Sequence, residues 1–179
     1  MTSKPLNNWY VLTGGPATGK TTLLKELKKL GYQTVPEAAR EHIDNSYQKG
    51  ILVEELRSNE KRFQEDVTRI KLRNEQGLNT SQVTFFDRGM QDTIAYMDYY
   101  GFPLEKWLKD IITASYYKKV FLLEPLAVDK HDYARTEDDK FMDKINDLLL
   151  NAYTSAGMNP IPVPADSVEN RIQFILKNL

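Results

Sequence analysis

The chain has no cysteine, which removes disulfides, cysteine-ligated zinc and thiol nucleophiles from its chemistry. Long apolar runs are missing as well: none approaches the ~20 residues needed to cross a bilayer. Neither sign of charge dominates. Twenty-four Lys and Arg stand against 25 Asp and Glu, so the chain carries no broad field for a nucleic acid or an anionic lipid surface. The two histidines, His42 and His131, have no metal-ligand partners at suitable spacing and read as surface residues. No internal repeat, low-complexity tract or linker interrupts the 179 residues, so residues 1–179 are expected to form one domain large enough for a real core. The opening MTSKPLNN is polar and lacks the apolar run of a signal peptide, so a cytoplasmic location is expected. A small phosphate-bearing molecule needs only a local cluster of positive charge, and is the natural partner for such a composition.

What is present is concentrated in WYVLTGGPATGKTTLLKELKKL, residues 9–30. An apolar run stops at Gly14, and beyond a glycine-containing loop Leu23, Leu24, Leu27 and Leu30 keep helical spacing. Between them lies Gly14-x4-Gly19-Lys20-Thr21, the phosphate-loop pattern of strand, loop and helix. Gly14 and Gly19 allow conformations that a side chain forbids and bring backbone close to a ligand. The amides from Ala17 to Thr21 form an anion nest to which Pro16 contributes none. The positive end of the helix dipole adds to the same field. Gly15, Thr18 and Thr22 complete the nucleotide-contacting stretch. Lys20 is expected to reach the outer phosphates and the Thr21 hydroxyl to hold a magnesium ion.

The remaining segments alternate. Residues 32–35 read as a second strand after the helix stop Gly31, and Pro36-Glu37 is expected to open a second helix. Residues 44–59 are polar and poorly patterned, as in helix ends and a mobile flap. A long helix from Glu60, with Phe63, Val67 and Ile70 on one stripe, ends at Gly77. Residues 82–86 form a third strand finishing in Asp87-Arg88-Gly89, and two helical stretches follow, separated by Gly101-Phe102-Pro103. Lys119–Leu123 is a fourth strand. The segment DKHDYARTEDD, residues 129–139, has almost no apolar residues and reads as a solvent-exposed lid. A helical stripe (Phe141, Ile145, Leu148, Leu149, Tyr153), a short fifth strand over 160–163 and a last helix capped by Asp166 and Glu169 complete the chain. Five strands alternating with helices predict a parallel sheet covered on both faces, with the ligand at the carboxyl ends of the strands. Glu37, Asp87 and Glu124 all fall there.

Asp87 ends a hydrophobic strand and is the expected second residue of the magnesium site, acting directly or through a water; its plainer role is to cap the next helix. Arg88 leaves the strand on the other side, and either binds the acceptor's phosphate or pairs with an acid such as Glu37. Glu37, where the second strand meets its helix, is the candidate general base for an acceptor hydroxyl, unless it merely favours the helix dipole. Arg40, on the same face, is a substrate clamp of the kind guanidinium groups make on phosphates and carboxylates. Gln64 reaches toward the acceptor pocket. Phe63 beside it fits core packing better. Arg135, in the lid, either neutralises charge on the transferred phosphoryl group or stacks on the base, unless it is an ordinary solvated arginine. The tyrosine-rich stretch 96–100 reads as packing around a helix end.

With VLTGGPATGKTTLL, VPEAAREHI, FFDRGMQDTIAY, VFLLEP followed by DYARTEDD, and IPVPADSVENRIQFIL in view, the chain resembles the small single-domain phosphate-loop proteins known as AAA-type ATPase domains related to nicotinamide riboside kinase. The resemblance covers nearly the whole chain. Its layout is also similar to deoxynucleoside and thymidylate kinases, in which acids after the second and third strands face the acceptor; Glu37, Asp87 and Arg88 match those positions. It implies a P-loop NTPase three-layer α/β/α sandwich with a five-stranded parallel sheet in the order 2-3-1-4-5. It also implies an arginine-bearing lid at about 127–139 and a base-binding loop near Val163 to Ser167 that includes Ala165. The cofactors expected are ATP and magnesium.

Two functional classes follow. One is a magnesium- and ATP-dependent kinase for a nucleoside, nucleotide or similar small hydroxyl compound. The other is a nucleotide-dependent switch, or a partner-stimulated ATPase or GTPase, whose flap and lid change order with the bound phosphate. The fourth strand ends FLLEP and carries no NKxD guanine-reading motif, which favours adenine. A kinase for nucleic-acid ends is disfavoured by the balanced charge. A protein partner or a homodimer is compatible with either class.

Overall fold

The computed structural model describes residues 7–126 and 139–179. The strands are β1 (Trp9–Thr13), β2 (Gln33–Val35), β3 (Thr84–Asp87), β4 (Lys119–Leu123) and β5 (Ile161–Val163), and they form one parallel sheet in the order β2-β3-β1-β4-β5. That is the arrangement the resemblance implies. Helices α1 (Lys20–Lys29), α2 (Ala38–Tyr47), α3 (Val53–Arg57), α4 (Glu60–Gln76), α5 (Asp92–Tyr99), α6 (Lys106–Ala114), α7 (Asp139–Ser155) and α8 (Val168–Lys177) make the crossovers.

The sheet is buried on both faces because its strands are apolar at successive positions rather than alternate ones. All five residues of β1 are buried. Tyr10, Leu12, Phe85, Phe121 and Leu123 pack against Leu23, Leu24 and Leu27 of α1 and Ile172 and Ile175 of α8. On the other face Trp9, Val11, Phe86 and Val120 meet Tyr117, Tyr153 and Met158. Helix α5 packs on α7 through Ala95, Tyr96, Phe141, Ile145 and Leu149. A smaller cluster, Ala38, Ile43, Phe63 and Val67, joins α2 to α4.

Several local expectations need correction. The third strand starts at Thr84 because residues 79–82 close a turn, with the Gln82 amide donating to the Asn79 carbonyl at 3.1 Å. It runs on through Asp87, which pairs with Leu12 across the ladder. The second strand starts at Gln33, and Tyr32 turns edge-on to Phe85. Glu37 has extended backbone angles and is the N-cap of α2, so the helix opens at Ala38. Residues 44–59 hold the end of α2 and all of α3, so helix ends do occur there as expected. The Asp166–Glu169 capping pair is replaced by Ser167, whose hydroxyl accepts from the Asn170 amide at 3.2 Å. Asp166 accepts instead from the Ser167 amide and the Asn170 side chain. His42 is half-buried beside Phe63, with its Nε2 enclosed, so it is not the surface residue expected. The lid, with Arg135 and His131, lies outside the described residues.

The turn after β3 is held by two buried tyrosines. The Gly89 amide donates to the Tyr153 hydroxyl (3.1 Å) and the Met90 amide to the Tyr117 hydroxyl (2.8 Å). Those hydroxyls donate onward, Tyr153 to Asp92 and Tyr117 to Glu75, so each of the two buried hydroxyls both accepts and donates. A β-carbon at Gly89 would lie 2.6 Å from both tyrosines. Gly89→Ala should therefore cost roughly 1–3 kcal/mol of stability in chemical denaturation; an unchanged midpoint would mean that the tyrosines are not fixed there.

Burial raises the Glu75 carboxyl above its ordinary value, against the pull of the Ser115 and Tyr117 hydroxyls. A raised acid binds more protons folded than unfolded, so its contribution to stability is largest below the unfolded pKa and is lost as pH climbs through the folded one. Glu75→Gln keeps the shape without the charge. Its unfolding temperature should move upward relative to the parent protein between pH 4 and pH 8, and a constant gap would contradict this.

Candidate functional site

The carboxyl ends of β1, β2 and β3 open onto one crevice. Its floor is the phosphate loop. Gly14 has φ +140°, Ala17 +56° and Gly19 +84°, a run of turns that only glycine enters freely. A β-carbon on Gly14 would sit 2.7 Å from the Leu123 carbonyl oxygen, so the loop also needs glycine there for close approach to β4. The Thr18 hydroxyl donates to the Gly15 carbonyl (3.0 Å), and the Gly15 amide donates to Asn146 Oδ1 (2.8 Å). Gly19 is the N-cap of α1 and offers no capping side chain, which leaves the first-turn amides to an external acceptor. Lys20 Nζ donates to the Gly14 and Gly15 carbonyls and to Thr18 Oγ1 at 2.7–3.0 Å. Pro16 faces the neighbouring cleft, and Thr22 is exposed.

Thr21 and Asp87 meet as the sequence expects. The Thr21 hydroxyl donates to Asp87 Oδ2 at 3.2 Å, while Asp87 Oδ1 is buried with no hydrogen-bond partner. Burial, with Glu37 adding to it, pushes the Asp87 carboxyl up to about 6 against the opposing pull of Lys20, Arg88 and Thr21. An orphaned carboxylate oxygen beside a hydroxyl and a phosphate loop is the donor set a magnesium ion takes, two oxygens from protein and the rest from phosphate and water. Among the described residues no group of three or more His, Asp or Glu could hold a metal unaided.

Arg88 takes the pairing alternative. Its Nε donates to Glu37 Oε1 at 2.9 Å, and its Nη1 to the Gly14 carbonyl (3.0 Å) and Asp92 Oδ1 (3.2 Å). It does so from φ +67°, a left-handed conformation costly for a residue with a side chain. Glu37, Arg40, Gln64 and Arg88 line one cleft beside Pro16, together with Ile43, Phe63 and Val67 of the α2–α4 cluster. Phe63 thus does both things, packing in the core and walling the cleft. Gln64 is buried, and its amide donates to Glu60 Oε1 at 2.7 Å. At the far side Val163 is buried at the end of β5, and the Ala165 amide donates to Glu124 Oε2 at 3.2 Å.

Four site residues escape the sequence reading. Asp92 is completely buried and accepts from Thr13, Arg88, Gly89 and Tyr153; its i,i+4 spacing from Arg88 was the available signal. Lys71 is buried in the cleft wall, donating to the Gly89 carbonyl (2.8 Å) and Thr93 Oγ1 (3.3 Å), and burial pushes its amine down to about 8. It continues the 63, 67, 71 stripe of α4. Arg57, from α3, also lines the cleft and is clasped by Glu60. Arg171 interrupts the apolar stripe of α8 and is buried, donating to the Thr18 carbonyl at 2.7 Å and the Glu124 carbonyl at 3.2 Å.

Comparison with solved structures finds the same fold in several proteins. NadR in complex with NR superposes with a TM-score of 0.69 at 14% identity; the match covers 96% of this chain and 50% of that one. This chain therefore spans about half the length of NadR. Deoxyadenosine kinase from M. mycoides with bound dCTP gives a TM-score of 0.66 at 14% identity, covering 95% of this chain and 97% of the other. Thymidylate kinase from Ehrlichia chaffeensis gives 0.65 at 14% identity over the same shares. At such identity the likeness is one of fold. No curated protein matches the sequence. The family model for the AAA domain, however, matches residues 9–171. From the phosphate loop to the last helix, this chain belongs to the AAA domain family.

Proposed function

We propose that the whole chain acts as one catalytic unit, a magnesium- and ATP-dependent kinase that moves the γ-phosphoryl group of ATP to a nucleoside, nucleotide or similar small acceptor. The observation that carries this reading is the second cleft. Hydrolysis alone needs a phosphate loop and a water, yet here a walled pocket with Glu37, Arg40, Gln64 and Arg88 adjoins Pro16 of the loop. The similarity to chains described as deoxyadenosine and thymidylate kinases supports the same reading.

Lys20 would exchange its loop carbonyls for phosphate oxygens, and Thr21 and Asp87 would hold the metal. A magnesium ion held by them would supply neutralisation of charge on the polyphosphate. The acceptor hydroxyl gives its proton to Glu37 as its oxygen bonds to the γ-phosphorus and the bond to the β,γ-bridging oxygen breaks. Arg40 would hold the acceptor while Arg88 keeps Glu37 in place, and Arg135, outside the described residues, would neutralise charge on the transferred group. Val163 and Ala165 flank the base. Since positioning and electrostatics do most of the work in such transfers, the fixed geometry of Arg88 matters more than any single proton. A cytoplasmic location, where ATP is abundant, suits this chemistry.

Lys20→Ala should abolish turnover, or weaken ATP binding at least ~10-fold, with the fold retained. Unchanged activity would remove Lys20 from the mechanism. Glu37→Gln should cut transfer to a nucleoside hydroxyl by ~10²-fold or more while ATP affinity holds, measured with labelled ATP. A loss confined to ATP binding, or phosphate release indifferent to every acceptor, would favour a nucleotide switch. Because Asp87 titrates near 6 and a metal competes with its proton, magnesium affinity should rise as pH increases through that value and level off above it. A flat profile, or one unchanged in Asp87→Asn, would place the metal elsewhere.

A further inference from the structure

The cleft beside the phosphate loop presents four cationic side chains, Arg40, Arg57, Lys71 and Arg88, and one carboxylate, Glu37. Arg57 and Arg88 have carboxylate partners of their own. Arg57 is held by both Glu60 oxygens at 2.9 and 3.1 Å, and Arg88 by Glu37 and Asp92. Lys71 differs. Its ammonium is buried, and its hydrogen bonds go to neutral oxygens, the Gly89 carbonyl and the Thr93 hydroxyl. Among the described residues no carboxylate forms a salt bridge with it. Thr93 is itself engaged with Thr68 at 2.9 Å.

Taking an ammonium out of water without an opposite charge is unfavourable, and evolution has a cheaper option at such a position, since an apolar residue would continue the Phe63, Val67 stripe without penalty. The groups facing Lys71 are Asp92 and Arg88 from the β3–α5 turn, Glu37 at the head of α2 and Glu75 on its own helix. Their combined influence leaves its amine depressed to about 8, so desolvation outweighs the nearby acids. Ala38, Ala39 and Ile43 of α2 and Phe63 and Val67 of α4 supply the apolar part of the lining. The cleft therefore combines surface for a ring with a cation for an oxyanion.

We infer that the acceptor is anionic, a molecule that carries a phosphomonoester or carboxylate besides its apolar ring or chain, and that Lys71 is the residue that meets this charge. This rests on the reading of the cleft as an acceptor pocket. In the transfer itself the bond between the γ-phosphorus and the bridging oxygen breaks and one to the acceptor oxygen forms, leaving ADP. A hydroxyl nucleophile passes its proton to Glu37, and a phosphomonoester nucleophile has none to pass.

The test uses matched probes on the full chain: neutral nucleosides, the same nucleosides as 3′- and 5′-monophosphates, and small hydroxycarboxylates. Binding is read by titration calorimetry and transfer with labelled ATP. An anionic member should bind, or show kcat/KM, at least ~10-fold better than its neutral counterpart, and in Lys71→Met that ratio should fall toward one. Monophosphates and carboxylates separate the two sources of the charge. Equal use of neutral and anionic probes would overturn the inference and leave the kinase reading intact. An equal loss for both in Lys71→Met would also overturn it, showing that Lys71 only shapes the Gly89 turn. Lys71→Arg, which keeps the charge, should retain the preference even if Lys71→Met fails to fold. Selective, Lys71-dependent binding of an anion without any transfer would sink the kinase reading alone.

Discussion

One guanidinium holds the crevice together. Arg88 reaches from the end of β3 to Glu37 at the head of α2, to the Gly14 carbonyl at the start of the phosphate loop and to Asp92 in the first turn of α5. Its charge is buried and its backbone is left-handed, two expenses that persist only where the surroundings over-determine them. Here they do: Gly89 and Met90 hang from buried tyrosine hydroxyls, and Lys71 pins the Gly89 carbonyl. Removing one partner of such a pair typically costs about 3–5 kcal/mol because the other charge is stranded. The network therefore does not slide. It sets the distance between the loop and the head of α2.

The same network explains what could and could not be read from the sequence. The phosphate loop, the five strands and their place at the mouth of the sheet were legible because they depend on local pattern: glycine spacing, apolar runs, helical stripes. The meeting of Thr21 and Asp87 was legible too, since the strand order fixes which loop faces which strand end. The partner of Arg88 was not, because either choice satisfied the local pattern and only the long-range register decided between them. Lys71 was missed for a simple reason. Periodicity arguments count lysine as solvated, so the stripe of α4 was closed with Ile70 when the buried position is 71. Arg171 was hidden likewise among the apolar residues of α8. Strand and helix ends moved by one to three residues wherever a turn hydrogen bond or a cap outweighed propensity, as at Thr84 and Ser167.

The two halves of the crevice are built differently. On the nucleotide side the ties run to main chain. Arg171 holds the Thr18 and Glu124 carbonyls, the Glu124 amide donates to the Val163 carbonyl, and its side chain accepts from the Ala165 amide. The phosphate loop and the loop after β5 are thereby one mechanical unit, indifferent to which side chains decorate them. In the cleft lined by α3 and α4, other ties run between side chains: Arg57 to Glu60 and Gln64 to Glu60. Pairs of this kind can exchange partners when an anion or a hydroxyl enters, because each lost contact is replaced by one of the same strength.

That asymmetry has a consequence for specificity. A main-chain cradle recognises what every nucleoside triphosphate shares, the polyphosphate, and substitutions around it change affinity more than preference. A side-chain cleft can be retuned by single substitutions on α2, α3 and α4 without disturbing the sheet, since those helices pack on each other through their own small cluster of Ala38, Ile43, Phe63 and Val67. Chains of this fold at 14% identity can then keep the phosphate loop and differ in what the cleft accepts. In this chain the difference is written in charge. The ammonium of Lys71 is buried and hydrogen-bonds only to the Gly89 carbonyl and the Thr93 hydroxyl, so an occupant of opposite sign is the one that would offset its desolvation.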